Sequence, residues 1–287
     1  MATRRCAQRQ FLLRPDPETN NAFLYCLGVA ANAHRIDLIN FIHMSNHLHD
    51  AMLDREGTGP AFFEYFHGLL AKCMNVMRGR WENFFSSSQT SVVRIETRED
   101  LIDRVVYIAT NPVKAGLVER VDQWPGASGY EALLTGQPLV AKRPKHFFSA
   151  NGTMPKEVSL RVAIPPEFGD SQEILAEVRA RVAAVEEAEA LKRAQTGKRV
   201  LGRYAVLRQS WRDSPATREK RRGLSPTFAA KTLWAALEAI QRKREFIAAY
   251  RAARQALLAN TPTLFPAGTY WLRRFAGVAI EAAEKTN

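Results

Sequence analysis

Apolar and polar positions along the first 135 residues change period several times, and each change marks an element. Residues 9 to 14, around Phe11-Leu12-Leu13, read as a short strand stopped by Pro15-Asp16-Pro17. From Thr19 or Asn20, the apolar positions Ala22, Phe23, Cys26, Leu27 and Ala30 keep helical spacing to about His34. Asp37 to Met44 and His47 to Leu53 read as strands, and Ser45-Asn46 between them predicts a hairpin or a sharply bent ribbon. Pro60 marks the start of a helix whose apolar face, Phe62, Phe63, Phe66, Leu69, Leu70, Cys73, Met74 and Met77, continues to about Arg80. After a short strand, Ser91 to Ile95, Thr97 and Asp100 form the capping box of another helix carrying Leu101, Ile102, Val105, Val106, Tyr107 and Ile108. It is expected to end near Asn111, because Pro112 disfavours helical geometry in the residue before it. The order β, α, β, β, α, β, α predicts an α+β architecture with helices packed on one antiparallel sheet.

Beyond Trp124-Pro125-Gly126 the pattern weakens. Residues 136 to 170 are expected to be a linker or a set of crossing loops. A mainly helical region, 171 to 287, follows. Asp170 and Glu173 cap a helix with the stripe Ile174, Val178, Val182 and Val185, closed by Gly197. Ser225-Pro226 opens a second long helix with Leu233, Leu237, Ile240, Ile247 and Tyr250 on one face and Arg242, Lys243, Arg244, Arg251 and Arg254 on another.

Composition is that of an ordinary globular protein, and no apolar run approaches the roughly 18 residues of a membrane span. A cytoplasmic, nucleoid-associated chain is expected. Cys6, Cys26 and Cys73 show no C-x-x-C spacing and suggest neither a disulfide framework nor a zinc cage. Charge changes the picture more. The net +12 is unevenly placed: residues 1 to 135 hold 14 Lys/Arg against 15 Asp/Glu, and the remainder 27 against 14. A basic half appended to a near-neutral one suits a polyanion such as nucleic acid, or is simply a soluble basic surface.

Two histidines stand two apart on the third strand, so His47 and His49 share a face, about 7 Å apart at the backbone. H-x-H can hold a metal ion or nothing. Tyr107 and Asn111 stand four apart on a helix and share a face as well. Asn111 offers a neutral oxygen, a suitable third donor beside two imidazoles for Mg²⁺ or Mn²⁺, and Tyr107 a hydroxyl nucleophile. Equally, Tyr107 reads as a core aromatic and Asn111 as the end of a helix before proline.

Three motifs, in order, resemble the HUH-type single-strand DNA transposases, specifically their REP-associated tyrosine branch. They are Ser45-Asn46-His47-Leu48-His49; Tyr107-Ile-Ala-Thr-Asn111-Pro112-Val-Lys114-Ala-Gly-Leu-Val118; and Trp124-Pro-Gly-Ala-Ser128-Gly-Tyr130. The resemblance covers roughly residues 5 to 135. It implies a ferredoxin-like HUH endonuclease core at 1 to 135 and cleavage of single-stranded DNA near hairpins through a covalent 5′-phosphotyrosine. By motif position, Tyr107 would be the nucleophile and His47, His49 and Asn111 the ligands of a divalent metal. The chain departs from the family at Asp50, where apolar residues are usual and a charge is expected to be exposed or paired. It departs again at Trp81-Glu-Asn-Phe-Phe85, where relatives carry Trp-x-x-Arg-Phe.

DNA contact is expected from Lys114, Arg218, Lys220, Arg221, Arg222, Arg242, Lys243, Arg244, Arg273 and Arg274. Around Gly223 a helix-turn-helix is one reading, and the mix of Tyr270 and Trp271 with Arg273 and Arg274 suits either base stacking or core packing. A rival to the enzyme is a domesticated protein that binds hairpins without cutting; another is a metallohydrolase built on H-x-H alone. Monomer and homodimer both remain open.

Overall fold

The computed structural model describes residues 1–217, 227–230 and 232–282. Four antiparallel strands form the central sheet: β1 (Ala2–Arg5), β2 (Ile36–Met44), β3 (His47–Asp54) and β4 (Ser91–Val92), side by side in the order β2-β3-β1-β4. The β2–β3 hairpin turns at Ser45-Asn46 as expected, pairing Met44 with His47 and Ile42 with His49. The first strand is not where it was expected. Residues 9 to 14 form a turn, with Leu12 and Leu13 fully buried, and the strand is Ala2–Arg5, which sets Thr3 opposite His49. A short apolar run stopped by prolines can fill a core as well as a ladder, and here the ladder position beside β3 is already taken by β1.

Helix α1 (Pro17–His34) links β1 to β2, and α2 (Gly59–Arg78) links β3 to β4. The start of α1 is earlier than its apolar pattern suggests, because Asp16 caps it: its carboxylate accepts from the Thr19 amide at 2.7 Å, with Pro17 in the first turn. Both helices cover the sheet face that carries Phe41. Phe23 of α1 stands 5.8 Å, ring to ring, from both Phe41 and Phe66 of α2. Burial of each such side chain contributes about 1.5–3 kcal/mol.

The other sheet face is covered by α3 (Arg98–Lys114), which follows the short strand β5 (Arg94–Ile95). Its cap is as expected: the Asp100 amide donates to the Thr97 hydroxyl at 3.1 Å. Its end is not. The helix continues through Pro112 to Lys114, because Pro112 and Val113 are buried and their packing outweighs the backbone bond that proline removes. Asn111 therefore keeps helical geometry, and its alignment with Tyr107 survives.

The Trp124–Tyr130 motif lies along the open edge of β2. His43 donates its amide to Ala127 at 3.1 Å, Gly129 donates to Phe41 at 2.8 Å, and the Trp124 indole donates to the His43 carbonyl at 3.1 Å. A Cβ on Gly126 would stand 2.9 Å from that same carbonyl, so only glycine permits the approach. After α4 (Tyr130–Thr135), residues 136–170 prove to be more than a linker. They carry the antiparallel pair β6 (Leu139–Lys142) and β7 (Glu157–Leu160), and Ala141, Val158, Leu160 and Val162 join the main core. Next come α5 (Ser171–Thr196), capped by Asp170 and closed by Gly197 as expected, and α6 (Arg203–Arg208). Ile174, Val178 and Val182 of α5 are buried, and the helix packs against α3.

Farther on, β8 (Phe228–Ala229) pairs in parallel with β5, ahead of the long helix α7 (Leu233–Leu258), which is capped by Thr232. The chain then forms β9 (Leu264–Phe265), α8 (Trp271–Ala276) and β10 (Ala279–Ile280). A small second core of Ala253, Phe265, Leu272 and Ile280 stands apart from the main one, which runs from Cys6 to Val206. All three cysteines are free and buried. Among the described residues no helix is long and apolar enough to cross a membrane.

Candidate active site

Strand alternation turns His47 and His49 toward α3, and the helical register turns Tyr107 and Asn111 back toward them. The two imidazoles stand 4.8 Å apart, ring to ring, at 83°, and the His49 ring is 5.3 Å from that of Tyr107. The Asn111 amide lies 3.2 Å from His49 Nε2 and also hydrogen-bonds His47. Four side chains from a strand and a helix some 60 positions apart in sequence thus share one spot. His49 and the strand beneath it are buried, whereas His47, Tyr107 and Asn111 are partly open to solvent.

Each histidine has one ring nitrogen engaged by an oxygen. His47 Nδ1 lies 2.7 Å from Asn46 Oδ1, and His49 Nδ1 lies 2.8 Å from the Thr3 hydroxyl. With the proton on Nδ1, those contacts leave the Nε2 lone pair of each ring turned to the common space, the arrangement that orients histidine ligands in metal sites. Burial, with Arg5 beside it, pushes His47 down to about 4, and burial together with His47 pushes His49 well below its ordinary value. Both rings are neutral at neutral pH. Two neutral imidazoles and an amide, whose Oδ1 reaches the same space after a half-turn of its last bond, are donors that could hold a divalent cation. Among the described residues no group of three or more His, Cys, Asp or Glu gathers, so the candidate set depends on the amide.

Tyr107 opens onto a cavity of about 460 Å³ lined by Asp103, Arg104, Lys114, Arg181, Ala184 and Val185, among others. Lys114, an expected DNA contact, is two helical turns from Tyr107 on the same face and exposed. Arg181 of α5 reaches Asp103 and Glu99 of α3 at 2.6 Å each and also pairs with Glu177. Charge-assisted bonds thereby tie the tyrosine helix to α5. Spacing did not single out Thr3, Asn46 or Arg181. Asn46 stood in the motif as a turn residue, Thr3 lay outside the expected strand, and Arg181 looked like one more charge beside the Val178–Val182 stripe.

Asp50 corrects an expectation. It is fully buried, with neither carboxylate oxygen hydrogen-bonded, because the sheet face opposite the histidines is roofed by α1 and α2. Burial pushes its carboxyl up to about 7, against the pull of the terminal ammonium.

The other expected DNA contacts are scattered. Arg242 pairs with Glu96, Lys243 donates to Thr227 at 3.0 Å, and Arg244 is exposed on α7. Arg273 stands over the Tyr270 ring at 5.5 Å. Arg274 belongs to the same short helix, α8. Tyr270 packs on the second core and against Gly57, where a Cβ would come within 1.9 Å of its ring, so for this residue packing is the reading observed. Arg218, Lys220, Arg221, Arg222, the helix-turn-helix reading and the Ser225-Pro226 helix start lie outside the described residues.

No protein-family model matches the chain, and no curated protein matches it. Among solved structures, a REP-associated tyrosine transposase bound to a REP hairpin matches at 15% identity over 53% of this chain and 82% of that one, with a TM-score of 0.38. A likeness so distant bears on no detail of chemistry, and the site stands on its own geometry.

Proposed function

We propose that this chain is a metal-dependent enzyme that cleaves single-stranded DNA near hairpins and rejoins or transfers the strands, with Tyr107 as nucleophile. The observation that carries this reading is the convergence of Tyr107, His47, His49 and Asn111 on one side of the sheet. A protein that only binds hairpins needs no such convergence. A ferredoxin-like HUH core at residues 1–135 is the fold we assign to it, supported by the β1-α1-β2-β3-α2-β4 order and the strand order β2-β3-β1-β4. The tyrosine meets the histidines within one chain, which supports a self-contained site.

The Tyr107 oxygen attacks the phosphorus, the bond to the 3′-oxygen breaks, and the phenolic proton ends, in the net, on the released 3′-hydroxyl. The 5′-phosphate remains on tyrosine as a diester, so the 3′-hydroxyl of the same or another strand can reverse the step without ATP. A divalent cation held by His47, His49 and Asn111 would polarise the phosphodiester. Asn46 and Thr3 hold the imidazoles in one tautomer, and Lys114 offers its ammonium to the phosphate from the tyrosine's own helix face. The C-terminal basic half adds long-range attraction for the polyanion.

Incubation with labelled single-stranded hairpin DNA and Mn²⁺ tests this. The expected result is a covalent adduct on denaturing gels, mapped to Tyr107 by mass spectrometry, absent in Tyr107→Phe and in chelator. An adduct that persists in Tyr107→Phe, or none from the parent protein on any hairpin, sinks the reading.

A further inference from the structure

Three segments distant in sequence meet beside the histidine hairpin. In the turn after β1, Gln8 and Arg9 have φ of 50° and 58°, a left-handed pair without glycine. Such residues cost on the order of 1–3 kcal/mol each and persist only where their surroundings hold them. Here Cys6 donates its amide to the Asn46 carbonyl at 2.8 Å, Leu13 to Ser45 at 2.9 Å, and Phe11 to the carbonyl of Asp213 at 2.8 Å. Asn46, which fixes His47 through Oδ1, also donates through Nδ2 to the Arg9 carbonyl at 3.2 Å. The turn is thus one residue removed from the candidate ligand.

Against this turn lies segment 209–217, and with it a cluster of arginine and tryptophan. The Arg212 guanidinium stands 4.3 Å from the Trp211 ring centre, and that of Arg80 stands 5.9 Å from it. Arg80 also reaches Gln10 at 3.4 Å. Among the described residues, no ion pair joins Arg80 or Arg212 to a carboxylate. Trp81, next in the chain to Arg80, is 89% exposed. An indole left in water next to Arg80, in a patch where no described carboxylate pairs with Arg80 or Arg212, is unsuited to an apolar protein partner. It suits a ligand with flat faces and a negative backbone, since bases stack on indole and guanidinium planes while phosphates take the charge.

We propose that the surface of Arg80, Trp81, Trp211 and Arg212 seats the single-stranded nucleic acid that flanks the scissile bond. The proposal rests on the active-site reading only for which strand is held. Segment 209–217 thereby belongs to the substrate path, and its docking shapes the strained turn beside His47.

Fluorescence anisotropy on the full chain carrying Tyr107→Phe, in chelator, measures binding apart from chemistry. The probes are a 12-nucleotide oligo-dT and a blunt hairpin of equal charge. Trp81→Ala and Arg212→Gln are each expected to weaken oligo-dT binding roughly 5- to 150-fold, to leave the hairpin unaffected, and to melt like the parent. Arg212→Gln should also lower the slope of log K against log salt by about 0.7. If both variants melt normally and bind oligo-dT like the parent, the proposal is overturned. It is overturned too if hairpin and oligo-dT weaken equally. Loss of oligo-dT binding in a protein whose Tyr107 forms no adduct would retain this surface and reject the active-site reading.

Discussion

Helices α5 and α7 are each 26 residues long, and each shows an apolar stripe in sequence. In the fold they differ. Helix α5 buries Ile174, Leu175, Val178 and Val182 and is pinned to α3 through Arg181, whereas α7 buries only Ala239 and Ala253. Leu233, Trp234, Leu237 and Leu258 of α7 stand exposed, with Arg251 and Arg254 beside them in solvent. Equal periodicity therefore says nothing of equal burial. A stripe becomes core only where a complementary surface meets it, and α3 supplies that surface to α5 alone.

The largest effect that separates the two regions is core truncation. Ile174→Ala, in the buried stripe of α5, should cost about 2–5 kcal/mol by denaturant unfolding. Trp234→Ala, 83% exposed, should stay within about 0.5 kcal/mol. A comparable loss at Trp234 would mean that α7 packs as α5 does.

Acid should act next on the main core. Burial pushes His43 down to about 4 and His67 to about 3, both inside the main core. The folded chain then binds fewer protons than the unfolded one below the ordinary histidine value of about 6.5. Stability from these groups is complete above that value, falls as pH drops through the window down to about 4 and about 3, and levels off below. His67→Phe should flatten that acid limb in urea unfolding measured from pH 7 to 4; an unchanged limb would show that His67 is not the group titrating.

At the site, Thr3→Val removes the oxygen that orients His49 while keeping the side chain's shape. Mn²⁺ affinity, followed by calorimetry, should fall roughly 10- to 100-fold with little change in melting. Unaltered affinity would exclude Thr3 from positioning the ligand. Smallest is the clamp between helices: Arg181→Ala should destabilise by about 1 kcal/mol, the scale of a partly exposed ion-pair network, and less in high salt.

Much of the site was legible because its logic is local. The spacing of His47 and His49, the four-residue step from Tyr107 to Asn111, the Thr97 cap and the Ser45-Asn46 turn each follow from backbone geometry within a few residues. The location of β1 was not legible. Its four residues carry no apolar alternation, and what makes them a strand is the free edge of β3 beside them.

By itself, then, the sequence determined the hairpin, the helices and the faces on which the candidate side chains stand, since periods of two and 3.6 are properties of the chain. The tertiary structure alone decided which faces meet. It brought Thr3 to His49, set α5 rather than α7 against the tyrosine helix, and closed α1 and α2 over Asp50. Those outcomes depend on contacts between residues dozens of positions apart, whose pairing energy no local pattern encodes.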